Sequence, residues 1–348
     1  MFLLNEEYEN KGQLDVEKLF ICNDKFKYQR IIDIVRKNYI NYEAIIKTLN
    51  TNTFDDFKPK KNKNCRLNGL CEYFSKCFPD ELNLEDDCIL YLVSSANKNK
   101  MYEDGISRLK DVDLNRLEGN RVQYAQIMAS KNNGLFVDKY ALKDWLNKLN
   151  ERPISFIDFE WDRYLIPEYK GMKPMDVVCF EFALYILDEN GELIHKTFVG
   201  TKDCRLEFIK GLLDNLPTSG PILAYNAEGA ECLRLKELSL IYPEYKNQLD
   251  EINARFIDLA VPFIEGIVYD SRMQGNFTLK KLVDICSDYS YSDLDIYNGM
   301  EAVYNWRNID RGKNDEKVID DLKQYCSLDA YGLFLVYRWL VKLIIESK

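Results

Sequence analysis

The chain has 348 residues, of which 46% are hydrophobic and 13% aromatic, enough for a packed core in two domains or in one large domain with an appendage. Its 47 basic against 57 acidic residues give a net charge of −10, which excludes a general basic footprint for nucleic acid and leaves room only for a local patch. No apolar run suggests a membrane span, and Met1-Phe2-Leu3-Leu4-Asn5-Glu6-Glu7 turns acidic too soon for a signal peptide.

A cytoplasmic setting is therefore expected, with the ten cysteines kept as thiols or metal ligands. Residues 24–50 have helical apolar spacing through Ile31, Val35, Tyr39, Tyr42, Ile46 and Leu49. Lys58-Pro59-Lys60-Lys61-Asn62-Lys63-Asn64 reads as an exposed loop. Cys65, Cys71 and Cys77 follow, separated by five residues each, which fits no usual short zinc spacing. From the spacing alone, a soft-ligand site and unligated buried thiols stay equally open. An iron–sulfur cluster wants a fourth ligand, for which Cys22 and Cys88 are the nearest. Residues 105–150 read as small helices with a core stripe of Leu142, Trp145, Leu146 and Leu149. A boundary is expected here, giving a mainly helical region 1–150 and a second domain 151–348.

Ile154-Ser155-Phe156-Ile157-Asp158-Phe159-Glu160-Trp161 reads as a buried strand. Alternation puts Ile154, Phe156, Asp158 and Glu160 on one face. Val177–Leu187 and Leu193–Val199 form a hairpin around Asp188-Glu189-Asn190-Gly191. Ile222–Asn226 is a fourth strand, followed by a helix carrying Leu233, Leu235, Leu238 and Leu240, and Arg255–Leu259 is a fifth. Thr278–Cys286 is helical with Thr278 as cap, and a final helix runs over residues 315–345. This order predicts an α/β protein, a mixed five-stranded sheet flanked by helices.

Two acids at the end of an apolar strand are costly unless a cation meets them, and hard oxygen donors suit Mg²⁺ or Mn²⁺. Further acids stand at Glu228 and Glu231 after the fourth strand. On the final helix, Tyr325 and Asp329 are four residues apart and share a face. Singly, each of these reads as a surface acid or a core aromatic. In this order the set is much more specific.

The set Asp158, Glu160, Glu231, Tyr325 and Asp329 resembles the DnaQ-like 3′–5′ exonucleases of ribonuclease H-like fold, in the subclass with tyrosine before the final aspartate. The single histidine, His195, lies far away in the hairpin. A closer resemblance, over residues 150–340, is to the bacterial family called domain of unknown function 2779. It is carried by Phe156–Glu160, Ile166–Pro174, Ala224–Asn226, Met273–Lys281, Asn298–Ala302 and Tyr325–Asp329. The superfamily's second acid follows the strand-end asparagine by four residues, whereas Glu231 follows Asn226 by five. Glu231 is preferred over Glu228 because Leu235 keeps the helix pattern.

The resemblance implies metal-dependent exonuclease action on DNA or RNA, with Asp158, Glu160, Glu231 and Asp329 holding two ions about 3.5–4 Å apart. Tyr325 is then expected to orient the attacking water. Asn226, Lys280 and Lys281 are candidate substrate contacts, a solvated helix face being the simpler reading of the lysines. The alternative is an inactive nucleic-acid-binding or assembly module on the same fold. Longer relatives carry a RecB-like, CRISPR-associated nuclease domain upstream that ends in cluster-binding cysteines. Cys65, Cys71 and Cys77 resemble that ending, and residues 1–150 are expected to be a remnant of such a domain, with a 4Fe-4S cluster as a candidate cofactor.

Overall fold

The computed structural model describes residues 20–22, 28–37, 40–51, 59, 65, 71–78, 86–117, 119–289, 296, 298–309 and 315–345. The chain divides into two compact units, Met1–Asn62 with Tyr73–Pro79, and Lys63–Glu72 with Asp80–Lys348.

In the first unit, β1 (Phe20–Cys22) pairs antiparallel with β2 (Tyr28–Arg30), and α1 (Ile31–Lys37) and α2 (Tyr42–Thr51) follow. The helix expected over 24–50 is thus shortened and divided: Tyr28–Arg30 pair with β1, and the helical spacing, which starts at Ile31, is realised in two separate helices. Its apolar residues do not form a buried stripe either: Val35, Tyr42, Ile46 and Leu49 are all exposed. A single turn, α3 (Phe74–Cys77), also belongs to this unit. Apart from Pro59, the expected loop at 58–64 lies outside the described residues.

In the second unit, α4 (Lys98–Glu103) and short 3₁₀ turns at 89–91, 109–111 and 114–116 enclose a small core of Ile89, Leu92, Met101 and Leu109. Ile127 of α5 (Arg121–Lys131) joins that core. Gln126, fully buried on α5, donates to the Tyr91 carbonyl and to the Tyr269 hydroxyl, stitching this region to the rest of the unit. Then come β3 (Leu135–Val137) and α6 (Lys139–Asn147), with β3 paired antiparallel to the distant β9 (Val268–Asp270). The α6 stripe of Leu142 and Trp145 shares one core with Phe156, Leu223 and Phe334. The boundary expected at residue 150 is therefore not a boundary between units. It marks a change from helices to sheet inside one hydrophobic core.

The main sheet has the order β6-β5-β4-β7-β8, formed by β4 (Ile154–Arg163), β5 (Val177–Leu187), β6 (Leu193–Val199), β7 (Ile222–Ala224) and β8 (Phe256–Asp258). The first three in sequence are antiparallel, while β7 and β8 run parallel to β4. This is the mixed five-stranded sheet that the sequence predicts. On one face lie α7 (Arg205–Asn215), α8 (Glu231–Ile241) and α9 (Lys246–Asn253), packed on Ile157, Phe159, Phe182 and Leu184. After α10 (Val261–Ile264) and β9 come α11 (Leu279–Cys286), α12 (Gly299–Arg307) and the long α13 (Asp315–Ile345). The final helix α13 covers the other face, with Phe334 and Tyr337 against Phe156. No helix among the described residues is long and apolar enough to cross a membrane.

Candidate metal centre

Strand alternation decides where the first two acids go. Ile154 and Phe156 enter the core under α13 while Ile157 and Phe159 enter the opposite core. Asp158 and Glu160 therefore continue the α13 face, as their spacing predicts. β7 pairs with β4 only at Ser155 and Phe156, so β4 runs on past the end of its parallel neighbour. The acids of β4 stand just past the carboxyl end of β7, the usual place for a ligand in sheets of this kind.

Three elements, β4, α13 and α8, deliver acids to that end of the sheet. Asp158, Glu160 and Asp329 each bring a carboxylate oxygen within 4.8 Å of the others. Asp329 reaches β4 because α13 packs across its face, and one turn earlier Tyr325 hydrogen-bonds to the Asp329 carboxylate. Glu231 is the first residue of α8, 2% exposed, with the Phe159 backbone on β4 near enough to favour its charged form. Its Oε2 is buried without a partner. Glu228, three residues earlier, is exposed, which separates the two candidates. Glu231 lies outside the closest trio, although its charge acts on both Asp158 and Glu160.

The electrostatics follow from crowding. Burial first, then Asp329, pushes Glu160 up to about 8. Burial also pushes Glu231 up to about 8, against the two backbone amides that favour its charged form. Asp158 is raised well above its ordinary range by burial, then by Asp329, Glu160 and Glu231. Burial and then Asp329 likewise raise Tyr325, so its phenol stays protonated. An all-oxygen set of mutually repelling carboxylates, one with an orphaned buried oxygen, fits a hard divalent cation, which would remove the repulsion.

Of the remaining expected residues, Lys280 on α11 comes to the site. Its Nζ lies 3.5 Å from the Tyr325 hydroxyl and 4.9 Å from the centre of that ring, and its charge favours ionised Glu160. Lys281 instead uses its backbone amide to reach the Thr278 cap. Asn226 is exposed in the left-handed region at φ 55°, its amide donating to Asp258 Oδ1 at 2.9 Å. His195 Nε2 meets Ser327 Oγ at 2.9 Å while its ring stacks on Tyr185, so it takes no place among the carboxylates. Cys65 and Cys71 belong to the second unit, with the Cys71 amide bonded to the Cys65 carbonyl, whereas Cys77 ends α3 of the first. All three are free, partly exposed thiols. Cys88, a suggested fourth, is buried among Ile89 and Leu109.

Three features escaped the sequence reading. Asp258, at the end of β8, caps the Asn226 and Ala260 amides and adds charge beside Glu231. Asp162, next on the α13 face, is 3% exposed and holds Arg307 of α12 in a two-pronged pair at 2.6 and 2.7 Å. This brings the start of α12 over the site: a Cβ on Gly299 would stand 3.3 Å from Glu160 Oε2. The third is Glu181 on β5, fully buried opposite Glu160, which a lone acid in the apolar run Val177–Leu187 could have signalled.

Fold and site together define a mixed α/β protein with a carboxylate cluster at the carboxyl ends of its central strands. Residues 155–278 match the family model described as domain of unknown function (DUF2779). That span, narrower than the 150–340 expected, includes Asp158, Glu160 and Glu231 and ends before Tyr325 and Asp329. Comparisons with curated proteins and with solved structures give no match.

Proposed function

We propose that this chain is a metal-dependent 3′–5′ exonuclease acting on DNA or RNA. The observation that carries this reading is the approach of the Asp158, Glu160 and Asp329 oxygens to within 4.8 Å of one another. The three are joined by Glu231 and by a tyrosine one helical turn from the final aspartate. Asp158, Glu160, Glu231 and Asp329 would hold the Mg²⁺ or Mn²⁺ ions. When bound, such ions lower the pKa of an attacking water and stabilise the leaving 3′ oxygen.

The chain's own residues have separate tasks. Tyr325, kept as a neutral phenol and hydrogen-bonded to Asp329, orients the water rather than deprotonating it. Lys280, beside the Tyr325 hydroxyl, supplies a positive charge for the scissile phosphate among groups that are otherwise acidic. Gly299 lets α12 close over Glu160 without displacing its carboxylate. Water oxygen adds to phosphorus, the P–O3′ bond breaks, and the water's protons leave to solvent and to the departing oxygen.

The test is release of mononucleotides from a strand labelled at its 3′ end, with and without Mn²⁺. Cation-dependent release by the wild type and its loss in Asp158→Asn are the expected results. Equal release by the variant would sink the proposal. If millimolar Mn²⁺ also leaves the melting temperature unchanged, the binding or assembly module becomes the better reading.

A further inference from the structure

Glu181 has no task in the chemistry above, yet it is fully buried beside the site, where the charges that reach it are those of Glu160 and Lys323. It stands directly opposite Glu160 in the β4–β5 register, at the irregularity where Phe180 is left without a partner. Directly opposed residues share a face, so Glu181 lies with Asp158 and Glu160 under α13. The α13 residues there are Cys326 and Ala330, packed on Ala183 two residues along β5. The Cys326 thiol is 3.4 Å from Asp158 Oδ2 and feels the charge of Glu181 before that of Asp158. Glu181 thus shares a face with the two β4 acids and, unlike them, is fully buried.

Its surroundings do not satisfy it. It is 0% exposed, and neither Oε1 nor Oε2 has a hydrogen-bond partner. A buried carboxyl left this way destabilises the fold, where a leucine would pack without that penalty. Ligand-bearing carboxylates are normally oriented by polar groups behind them, and Mg²⁺ in particular keeps several of its waters when bound.

We propose that Glu181 is a positioning residue of the cation site, its two oxygens hydrogen-bonding to the hydration water of the ion that Asp158 and Glu160 hold. This rests on the reading of those acids as cation ligands. It assigns Glu181 no contact with substrate and no part in bond breaking.

Calorimetric titration with Mn²⁺ alone, on the full chain, tests it in Glu181→Leu and Glu181→Gln, with cation-free melting temperatures as a check on folding. The leucine variant is expected to melt no lower than the wild type and to bind Mn²⁺ about tenfold more weakly or worse. The glutamine variant, which keeps a donor and an acceptor, is expected to recover most of that loss. Wild-type affinity in Glu181→Leu would overturn the proposal. So would equal weakness of the leucine and glutamine variants, since the loss would then come from charge or from the fold. Should the leucine variant not fold, Glu181→Met takes its place. If the wild type itself binds no Mn²⁺, the exonuclease reading fails first. Tight wild-type binding with no effect at Glu181 removes only the present inference.

Discussion

Asp329→Asn is expected to stabilise the protein without divalent cation while removing its response to that cation. Asp329 is the largest charge acting on both Asp158 and Glu160. Two unit charges at the 4.8 Å limit that bounds the trio repel by about 3.5 kcal/mol at an effective dielectric of about 20. Asp329 takes part in two of the three pairs, so full ionisation would cost the fold about 7 kcal/mol through this residue alone. The protein avoids most of this by holding protons, as the raised Glu160 and Asp158 show. Exchange of the Tyr325 hydrogen bond from carboxylate to amide works the other way, by about 1 kcal/mol. A net gain of about 1–2 kcal/mol near neutral pH remains, read as a rise of a few degrees in melting temperature. The gain should widen toward pH 9, as Glu160 passes its value of about 8. Added Mn²⁺ should reverse the order, since a ligand at a hundred times its Kd stabilises the wild type by about 2.7 kcal/mol. Thermal melts in EDTA and in Mn²⁺ at pH 6, 7.5 and 9 make the comparison. A variant less stable than wild type in EDTA at pH 9, or raised equally by Mn²⁺, would refute the reasoning.

In EDTA the wild type should lose stability as pH rises from about 4.5 toward 8. Glu160 and Glu231 have folded values of about 8 against an ordinary 4.5, so the native state binds more protons across that window. In saturating Mn²⁺ the slope should flatten across that window, because the cation-bound carboxylates hold no protons in the native state; parallel melting series would show both. Glu231→Gln should weaken Mn²⁺ binding tenfold or more, as an order of magnitude, while Glu228→Gln, altering an exposed side chain, should leave both binding and nuclease rate unchanged in calorimetry and release assays. Lys280→Met should slow mononucleotide release on the order of a hundredfold. It should also bind Mn²⁺ at least as tightly as the wild type, because the charge removed favours ionised Glu160 and repels the ion; equal rates would take Lys280 out of the site.

What the sequence makes legible here is what depends on local period. The hairpin strands Val177–Leu187 and Leu193–Val199 and the helix over 315–345 begin and end where their patterns do. The shared face of Asp158 and Glu160 follows from alternation alone. What stays hidden depends on partners distant in sequence. Leu135–Val137 becomes a strand because Val268–Asp270 lies beside it, and this pairing dissolves the boundary expected at 150. Tyr28–Arg30, inside the stretch expected to be helical, are claimed by Phe20–Cys22 for the same kind of reason. Glu181 is visible as an odd letter in an apolar run, but its place opposite Glu160 needs the register and the irregularity at Glu160/Trp161.

Glu231 shows how a spacing that departs from expectation can still deliver its side chain. Asn226 turns the chain into the left-handed region as β7 ends, and residues 227–230 form a turn closed by Ala230 and Cys232 amides bonding to the Ala227 carbonyl. The extra residue is taken up there, before any helical phase exists. Once α8 starts at Glu231, positions three and four apart fix the rest: Glu231, Leu235 and Leu238 are all buried, while Leu233 and Leu240 point outward. The helix is anchored by its apolar face, not by its distance from Asn226. An acid in phase with that face is therefore carried to the end of the sheet whether the turn before it holds three residues or four, and Glu228, inside the turn, is left in solvent. Helix phase is thus the property that selects the second acid of this site.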